Sequence, residues 1–292
     1  MTLPVSRVGL IGHPIGHSRS PAMQQAAFDA LGISARYELW DTPADQLAQR
    51  VASLRAPDIL GANVTIPYKT AILPLLDDLA PDAAHRTGAV NTIVCEQLPT
   101  GIRLIGYNTD TVGLRIALHA CGAALRGRRM LILGAGGAAR AALAVARLEE
   151  AEIYVAARRI TAAQALLAVS NADPSRLDTV TSHALALDDT PQLASALAYT
   201  AVLINATPIG TGDPNALPLP ASLLAHLPPD AIVFDMVYNP PETALVCAAR
   251  ARGLRAAGGH SMLLYQGAAA FTLWTGQSAP LATMRAALGL TF

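Results

Sequence analysis

Residues 130–140 read MLILGAGGAAR, and this stretch decides the fold of the part of the chain around it. A short apolar run leads directly into the pattern Gly134-x-Gly136-x-x-Ala139. In this pattern the first glycine permits a tight turn, and the second lets a pyrophosphate approach the backbone closely. The small third residue lets a helix pack against its strand. The stretch therefore predicts a strand, a phosphate-binding turn and the start of a helix.

The sequence that follows completes a βαβ unit. An Ala-rich segment at 138–148 predicts the helix, and an apolar run at 152–156 predicts the second strand. The free N–H groups and the positive dipole end of such a helix bind phosphate. The pattern thus predicts a Rossmann-type dinucleotide site formed by Gly134, Ala135, Gly136, Gly137 and Ala138.

The residues after the second strand favour one of the two nicotinamide dinucleotides. An NAD site usually has an acidic residue at this point, which holds the ribose 2′-hydroxyl. Here the strand is followed by Ala157, Arg158 and Arg159, without a carboxylate. Guanidinium groups bind a 2′-phosphate through charge-assisted, bidentate hydrogen bonds, although both arginines could instead be solvated loop charges. The sequence favours NADP, with Arg158 and Arg159 at its phosphate.

Strand and helix patterns alternate through the rest of the chain. Ser20 is a suitable N-cap for a helix that starts at Pro21, which predicts that this helix runs over 21–31. The alternation predicts an α/β domain with a largely parallel sheet before the βαβ unit. The predicted strands are 7–12, 35–40, 60–67, 89–95, 103–107, 201–205 and 231–235. The other predicted helices are 43–54, 68–76, 81–87, 111–121, 261–271 and 280–288.

Composition bounds the class of protein. Hydrophobic residues make up 52% of the chain and charged residues 14%, which is typical of a folded protein. The length of 292 residues suggests two domains. The formal net charge of zero argues against nucleic acid as a partner. No apolar run is long enough for a transmembrane helix, and the N-terminus does not read as a signal peptide. Three scattered cysteines predict reduced, mostly buried thiols in a cytoplasmic protein, and no cluster has metal-ligand spacing.

One residue stands out against this composition. The chain has 20 arginines and a single lysine, Lys69. Arginine does not give up its proton in proteins, whereas the environment can tune a lysine ammonium to do so. Lys69 is therefore a candidate proton-transfer group, with a surface lysine retained by chance as the alternative.

Eight blocks of sequence, in one order along nearly the whole chain, resemble the shikimate dehydrogenase family. A set of blocks in fixed order is far more specific than any one motif. Besides the glycine loop, the matching blocks are GHPIGHSRSP at 12–21, GANVTIPYK at 61–69, GAVNT at 88–92, GYNTD at 106–110, NAT at 205–207, DMVYNP at 235–240 and MLLYQ at 262–266.

The resemblance implies an α/β fold of two domains with an active-site cleft between them. An N-terminal substrate domain, 1–110, would be completed by C-terminal helices at 260–292, and a Rossmann NADP-binding domain would occupy 111–259. The implied protein is a cytoplasmic, NADP-dependent oxidoreductase of aromatic biosynthesis, a monomer or homodimer. It would reversibly reduce 3-dehydroshikimate, a small-molecule substrate, to shikimate.

The resemblance also implies roles for individual residues. Lys69 and Asp110 would form the catalytic pair, in which Lys69 moves the proton of the reacting hydroxyl and Asp110 orients that hydroxyl. The implied substrate-binding residues are Ser18 and Ser20 for the carboxylate, Asn63, Thr65, Asn91 and Gln266 for the ring hydroxyls, and Tyr238 near the ring. The implied cofactor residues outside the glycine loop are Arg158, Arg159, Thr207, Met236 and Gly259.

Some positions depart from the family pattern and leave specificity open. The adenosine loop commonly reads Asn-Arg-Thr where this chain has Ala157-Arg158-Arg159, and Ser261 replaces a common glycine. These changes leave open whether the preferred substrate is shikimate, quinate or aminoshikimate. They also leave open how strictly the protein prefers NADP over NAD. A non-catalytic sensor that binds NADP or shikimate is a second hypothesis, which the presence of both Lys69 and Asp110 disfavours. A reductase for an unrelated carbonyl is a third, which the substrate blocks disfavour.

Overall fold

The computed structural model describes residues 5–81, 87–169 and 181–290. These residues form two compact units. One unit takes the chain up to Gly113 and resumes at Leu263, and the other runs from Leu114 to Met262.

Strands and helices alternate along most of the described chain. The strands are β1 (Ser6–Gly12), β2 (Ala35–Asp41), β3 (Ile59–Val64), β4 (Asp78–Leu79), β5 (Thr92–Leu98), β6 (Gly101–Tyr107), β7 (Arg129–Leu133), β8 (Glu152–Ala157), β9 (Ser182–Ala186), β10 (Thr200–Asn205), β11 (Ile232–Asp235) and β12 (Arg255–Ala257). The helices are α1 (Ser20–Ala30), α2 (Leu47–Ser53), α3 (Thr109–Ala120), α4 (Gly137–Leu148), α5 (Ile160–Val169), α6 (Thr190–Leu197), α7 (Ala244–Ala251), α8 (His260–Thr275) and α9 (Leu281–Ala287).

The sheet of the first unit is mixed. Its described strands lie in the order β2-β1-β3-β5-β6-β4. The pairs β1–β2, β1–β3 and β4–β6 are parallel, whereas β5 pairs antiparallel with both β3 and β6. The prediction of a largely parallel sheet is confirmed for this unit, because five of these six strands run in one direction and β5 alone runs the opposite way. Residues 98–101 connect β5 and β6 so closely that these two strands form a hairpin, which requires antiparallel pairing.

The second unit is a parallel sheet in the order β12-β11-β10-β7-β8-β9. All five pairs are parallel. Strands β10 and β11 are buried along their whole length, as expected of parallel strands covered on both faces. The strand order reverses between β7 and β10, and the carboxyl ends of these strands are where nucleotides bind in such sheets. The predicted α/β fold with a Rossmann unit is confirmed.

Apolar burial holds each unit together. In the first unit, α2 packs Val51 onto a core that includes Ile11, Trp40 and Ile93. The rings of Phe28 on α1 and Phe271 on α8 lie 5.2 Å apart between centroids. In the second unit the core includes Leu131, Leu203, Val233, Leu193 and Leu245 from the strands and the helices beside them.

Two predicted helices differ from the structure. The predicted helix at 68–76 is a set of turns with a short 3-10 helix, Leu73–Leu75. Pro74 lies inside that segment and has no N–H to donate to the residue four positions before it. The Lys69 carbonyl accepts a hydrogen bond from Val90 N–H instead of from its own segment. The predicted helix at 81–87 lies mostly outside the described residues.

Ser20 is not an N-cap, contrary to the prediction. Helix α1 includes Ser20 itself, the cap position is Arg19, and no side-chain hydrogen bond caps the helix. Pro21, which lacks an N–H, leaves the first turn with one donor fewer to satisfy. The Ser20 hydroxyl is thus not committed to the helix end.

Two smaller observations complete the fold. Only Cys95 of the three cysteines is buried, so the expectation of mostly buried thiols is wrong. Within the described part of the chain, every helix is too short or too polar to cross a lipid bilayer.

Candidate active site

Lys69 and Asp110 form an ion pair in the first unit. Lys69 Nζ lies 2.5 Å from Asp110 Oδ2, and the two side chains are 17% and 7% exposed. Asp110 is the second residue of α3, where the positive end of the helix dipole stabilises a carboxylate. Lys69 follows β3 after a short turn. The pair is partly screened from water, yet the ammonium can still be reached.

Asn91 connects this pair to Gln266. The Asn91 Nδ2 group lies 3.0 Å from Asp110 Oδ1 and 3.2 Å from Gln266 Oε1. The Asn91 Oδ1 atom accepts a hydrogen bond of 2.6 Å from the backbone N–H of Thr109. Asn91 lies just before β5 and Gln266 lies on α8, so segments far apart in sequence converge on Asp110.

Asn63 joins the same network from β3. Its Nδ2 group donates to the Asn91 carbonyl and to Thr92 Oγ1, both at 3.1 Å. Its Oδ1 atom accepts a hydrogen bond of 2.7 Å from the Tyr37 hydroxyl. The structure thus brings together four predicted site residues around Asp110: Lys69, Asn63, Asn91 and Gln266.

Sequence reasoning missed three members of this network. Thr92 and Thr109 lie inside the quoted blocks GAVNT and GYNTD, so their presence beside Asn91 and Asp110 was the available signal. Tyr37 carries no such signal, because it lies in the short amphipathic strand β2 and reads there as a core aromatic. Tyr37 and Asn63 lie on strands that flank β1, and only the sheet brings them together.

The remaining predicted substrate residues of this unit lie apart from the network. Ser18 Oγ accepts a hydrogen bond of 3.3 Å from Ser20 N–H, at the turn into α1. Thr65 follows β3 directly, and its backbone N–H donates to the Ile11 carbonyl. Among the described residues, no hydrogen bond joins the hydroxyls of Ser18, Ser20 or Thr65 to the Asp110 network. These hydroxyls remain able to bind a ligand.

The arrangement in this unit fits a small polyhydroxylated ligand. The lysine side chain can give a proton as the ammonium and take one as the neutral amine, and the carboxylate holds its nitrogen in place. The amides of Asn63, Asn91 and Gln266 provide both donors and acceptors around the pair. In the part of the chain that the structure describes, no three His, Cys, Asp or Glu side chains converge to hold a metal ion.

The glycine loop of the second unit has the geometry that a dinucleotide phosphate needs. Gly134 has φ +104°, in the region that favours glycine. A Cβ atom on Gly136 would meet nothing within 4 Å, so the space in front of this residue is open. Helix α4 begins at Gly137 without a side-chain cap, which leaves its first N–H groups for a ligand. Ala135, Gly137 and Ala138 surround this opening and are partly exposed.

The predicted phosphate arginines lie at the end of β8. Arg158 and Arg159 are both exposed. Neither guanidinium group has a hydrogen-bond or ion-pair partner among the described residues, in contrast to Arg126 and Arg128 of the same unit. Two positive charges at the end of β8, the strand that pairs with β7 before the glycine loop, fit a 2′-phosphate and therefore NADP.

The other predicted cofactor residues lie at the ends of β10, β11 and β12. A Cβ atom on Gly134 would lie 3.0 Å from Thr207 Cγ2, so these two residues are in contact. A Cβ atom on Gly259 would clash with the Met236 carbonyl oxygen, which only glycine avoids. Tyr238 lies near His260, with ring centroids 6.2 Å apart. The structure places all these residues at the carboxyl edge of the sheet.

A buried carboxylate, which sequence reasoning did not single out, ties two of these loops together. Asp235 is fully buried and accepts hydrogen bonds from Asn205 Nδ2 (2.9 Å), Val237 N–H (3.0 Å) and Thr243 Oγ1 (2.6 Å). Asn205 Oδ1 in turn accepts from the Thr207 hydroxyl at 2.7 Å. Burial raises the pKa of Asp235 above its ordinary value, although the three donors oppose this shift.

Two family models match parts of this chain. The shikimate dehydrogenase substrate binding domain matches residues 10–93, and the shikimate 5′-dehydrogenase C-terminal domain matches residues 259–288. The shikimate dehydrogenase (NADP(+)) of Symbiobacterium thermophilum is 41% identical, over 96% of this chain and 92% of its own.

Solved structures give the same result. The shikimate 5-dehydrogenase of Listeria monocytogenes, in complex with shikimate and NAD, aligns with a TM-score of 0.86 and 34% identity, over 97% of this chain and 96% of its own. The Thermus thermophilus enzyme, in complex with NADP(H) and shikimate, aligns with a TM-score of 0.82 and 38% identity, over 97% and 98% of the two chains. This chain belongs to the shikimate dehydrogenase family.

Proposed function

We propose that this protein is an NADP-dependent shikimate dehydrogenase, which reversibly reduces 3-dehydroshikimate to shikimate. The observation that carries the proposal is the Lys69–Asp110 ion pair. Side-chain amides that can donate to and accept from ring hydroxyls surround this pair. The curated relative from Symbiobacterium thermophilum supports it by name, as do solved relatives that hold shikimate.

In this proposal Lys69 moves the proton. Oxidation of a secondary alcohol releases a hydride and a proton, and NADP, when bound, supplies the hydride chemistry by accepting that hydride. Lys69 Nζ, as the neutral amine, takes the hydroxyl proton as the C–H bond breaks, and as the ammonium it returns a proton to the carbonyl oxygen in the reverse reaction. Asp110 holds Nζ in place and accepts a hydrogen bond from the reacting hydroxyl.

The other predicted residues bind and orient the two ligands. Ser18 and Ser20 hold the ring carboxylate, and Asn63, Thr65, Asn91 and Gln266 hold the ring hydroxyls, with Tyr238 near the ring. The glycine loop and the N-terminus of α4 bind the pyrophosphate, and Arg158 and Arg159 bind the 2′-phosphate. Thr207, Met236 and Gly259 line the nicotinamide end. The proposal also includes a domain division at 110 and 260, a cytoplasmic location and a monomeric or dimeric state.

The test measures the formation of NADPH through its near-ultraviolet absorbance. The purified chain is mixed with shikimate, quinate or no substrate, each with NADP and with NAD. We expect turnover with shikimate and NADP to exceed every other combination. A preference for quinate or NAD would change the assigned substrate or cofactor but keep the mechanism. No turnover by a folded chain that binds NADP would contradict the proposal and favour a sensor.

A further inference from the structure

A chain of buried hydrogen bonds leads from the Tyr37 hydroxyl to the Asp110 carboxylate. It passes through three polar side chains: Asn63, Thr92 and Asn91. We propose that Tyr37 and Thr92 are positioning residues, which set the orientation of the two asparagine amides that hold substrate and catalytic carboxylate. This inference rests on the proposed function, because it names further residues of the same site.

The direction of the hydrogen bonds at Asn63 follows from its partners. The Asn91 backbone carbonyl can only accept, so the group that faces it at 3.1 Å must be the Asn63 Nδ2. The second Nδ2 proton points to Thr92 Oγ1, also at 3.1 Å. The Asn63 Oδ1 atom then faces the Tyr37 hydroxyl at 2.7 Å, which must donate. The Asn63 amide has one orientation in which every contact is satisfied.

The same reasoning fixes Asn91. Its Oδ1 atom faces the Thr109 backbone N–H, which can only donate, at 2.6 Å. Its Nδ2 group therefore faces the Asp110 Oδ1 atom. Thr92 Oγ1 accepts from Asn63, and its own proton points to Asn91 Oδ1 at 3.2 Å or to Thr109 Oγ1 at 3.1 Å. When the Thr92 proton is on Asn91 Oδ1, every donor in the chain points from Tyr37 toward Asp110.

The chain restricts what a ligand can do at Asn63. Both Nδ2 protons are used within the protein, and Oδ1 already accepts one hydrogen bond. Asn63 therefore offers a ligand a single remaining lone pair on Oδ1. The ligand group at this position must donate, so it is a hydroxyl and not a ketone oxygen. Asn63 accordingly binds a ring hydroxyl that keeps its proton in both oxidation states.

The loss of the Tyr37 hydroxyl would remove the donor that holds Oδ1 in place. Tyr37 is 7% exposed, and the variant Tyr37→Phe changes no other atom of this side chain. The Asn63 amide would then be held by two fixed contacts and not three, so its Oδ1 atom could shift from its position. A shifted Oδ1 atom would accept a hydrogen bond from the substrate hydroxyl less well.

The test compares Tyr37→Phe with Tyr68→Phe in the full-length chain. Tyr68 is a matched control, since it is 4% exposed in the same unit and its hydroxyl donates to the Thr42 carbonyl at 2.7 Å, outside the chain of hydrogen bonds. We expect Tyr37→Phe to raise KM for shikimate by ~3- to 10-fold, the value of about one hydrogen bond. KM for NADP should stay the same in both variants, and Tyr68→Phe should leave both KM values unchanged.

Two further comparisons separate positioning from a general loss of stability. In the Asn63→Ala background, Tyr37→Phe should add little to the rise in KM, because Tyr37 acts through Asn63. Thr92→Val should raise KM for shikimate as Tyr37→Phe does, whereas Thr92→Ser, which keeps the hydroxyl, should restore it. If KM for shikimate is equal in Tyr37→Phe, Tyr68→Phe and the unsubstituted chain, the inference is overturned but the proposed function is not. Failure of the unsubstituted, folded chain to oxidise shikimate would overturn the proposed function, and the inference with it.

Discussion

Gly134 lies directly against Thr207. A Cβ atom on Gly134 would come within 3.0 Å of Thr207 Cγ2 and 3.1 Å of the Ala206 carbonyl oxygen. Gly136, in the same loop, has φ −88° and open space where its Cβ atom would lie. Gly134 is therefore required by the protein's own packing and backbone, whereas in our account Gly136 is required by the ligand that approaches it.

Alanine at these two glycines should separate stability from cofactor affinity. Gly134→Ala should lower the free energy of unfolding by ~1–3 kcal/mol, because a positive φ and a close contact both oppose a side chain. Gly136→Ala should leave the melting temperature nearly unchanged but raise KM for NADP by about 10-fold, by crowding the pyrophosphate. Thermal unfolding and steady-state kinetics measure the two effects. An unchanged KM for NADP in Gly136→Ala would show that the ligand does not approach this residue.

The two arginines after β8 should determine the preference for NADP. Hydrogen bonds to charged groups contribute ~1.5–3 kcal/mol, so Arg158→Ala should raise KM for NADP by roughly 10- to 100-fold and leave KM for NAD unchanged. Arg159→Ala should act in the same direction. The control is Arg252→Ala, since Arg252 is another exposed arginine of the same unit without an ion-pair partner among the described residues. If the Arg252 variant matches the Arg158 variant, the effect is one of net charge and not of a phosphate site.

The Ser20 hydroxyl should matter for substrate and not for stability. It makes no capping hydrogen bond, so Ser20→Ala should leave the melting temperature unchanged and raise KM for shikimate by about 10-fold or more. Asp189 provides the opposite control, because its carboxylate caps α6 through Gln192 N–H at 3.1 Å. Asp189→Ala should cost ~0.5–2 kcal/mol of stability and leave KM for shikimate unchanged. A loss of stability in Ser20→Ala without a change in KM would assign Ser20 a purely structural role.

Asp235 should make stability depend on pH. Burial raises its folded-state pKa above the ordinary value of 3.8, so the folded protein binds more protons than the unfolded chain between the two pKa values. Its contribution to stability is complete below the ordinary value and is lost as the pH rises through the folded-state pKa. The Asp235→Asn variant has no carboxyl group to ionise here, so it does not lose this stability as the pH rises. Its free energy of unfolding, compared with that of the unsubstituted chain, should therefore increase with pH between the two pKa values. Urea unfolding at several pH values measures the difference, and a difference independent of pH would contradict the prediction.

Local sequence was sufficient for the elements that form around a motif. The run at 130–133, the glycine loop and the helix after it are confirmed as β7, the turn and α4, because apolar periodicity and glycine positions act over a few residues. Elements without such a signal were not predicted, among them β4 with two residues and β12 with three. Short edge strands exist because a neighbouring strand pairs with them, which local sequence does not encode.

The candidate site divides in the same way. The blocks that contain Lys69, Asn91 and Asp110 were identified from sequence, but the 2.5 Å contact between Lys69 and Asp110 joins residues 41 positions apart. Tyr37 was missed because its hydroxyl reaches Asn63 across β1, a contact that only the assembled sheet provides. The helix predicted at 68–76 was wrong because Pro74 lies inside it, although proline inside a helix is a strong local signal.

The most direct test of the account replaces Lys69, the single lysine of the chain. Lys69→Ala removes the proton carrier, and Lys69→Arg keeps the positive charge beside Asp110 but holds its proton. Both variants should lower kcat for shikimate oxidation with NADP by ~100- to 10,000-fold, with KM for NADP unchanged, because a positioned acid or base contributes this much to rate. Near-normal kcat in Lys69→Arg would contradict the account, since the charge alone would then suffice.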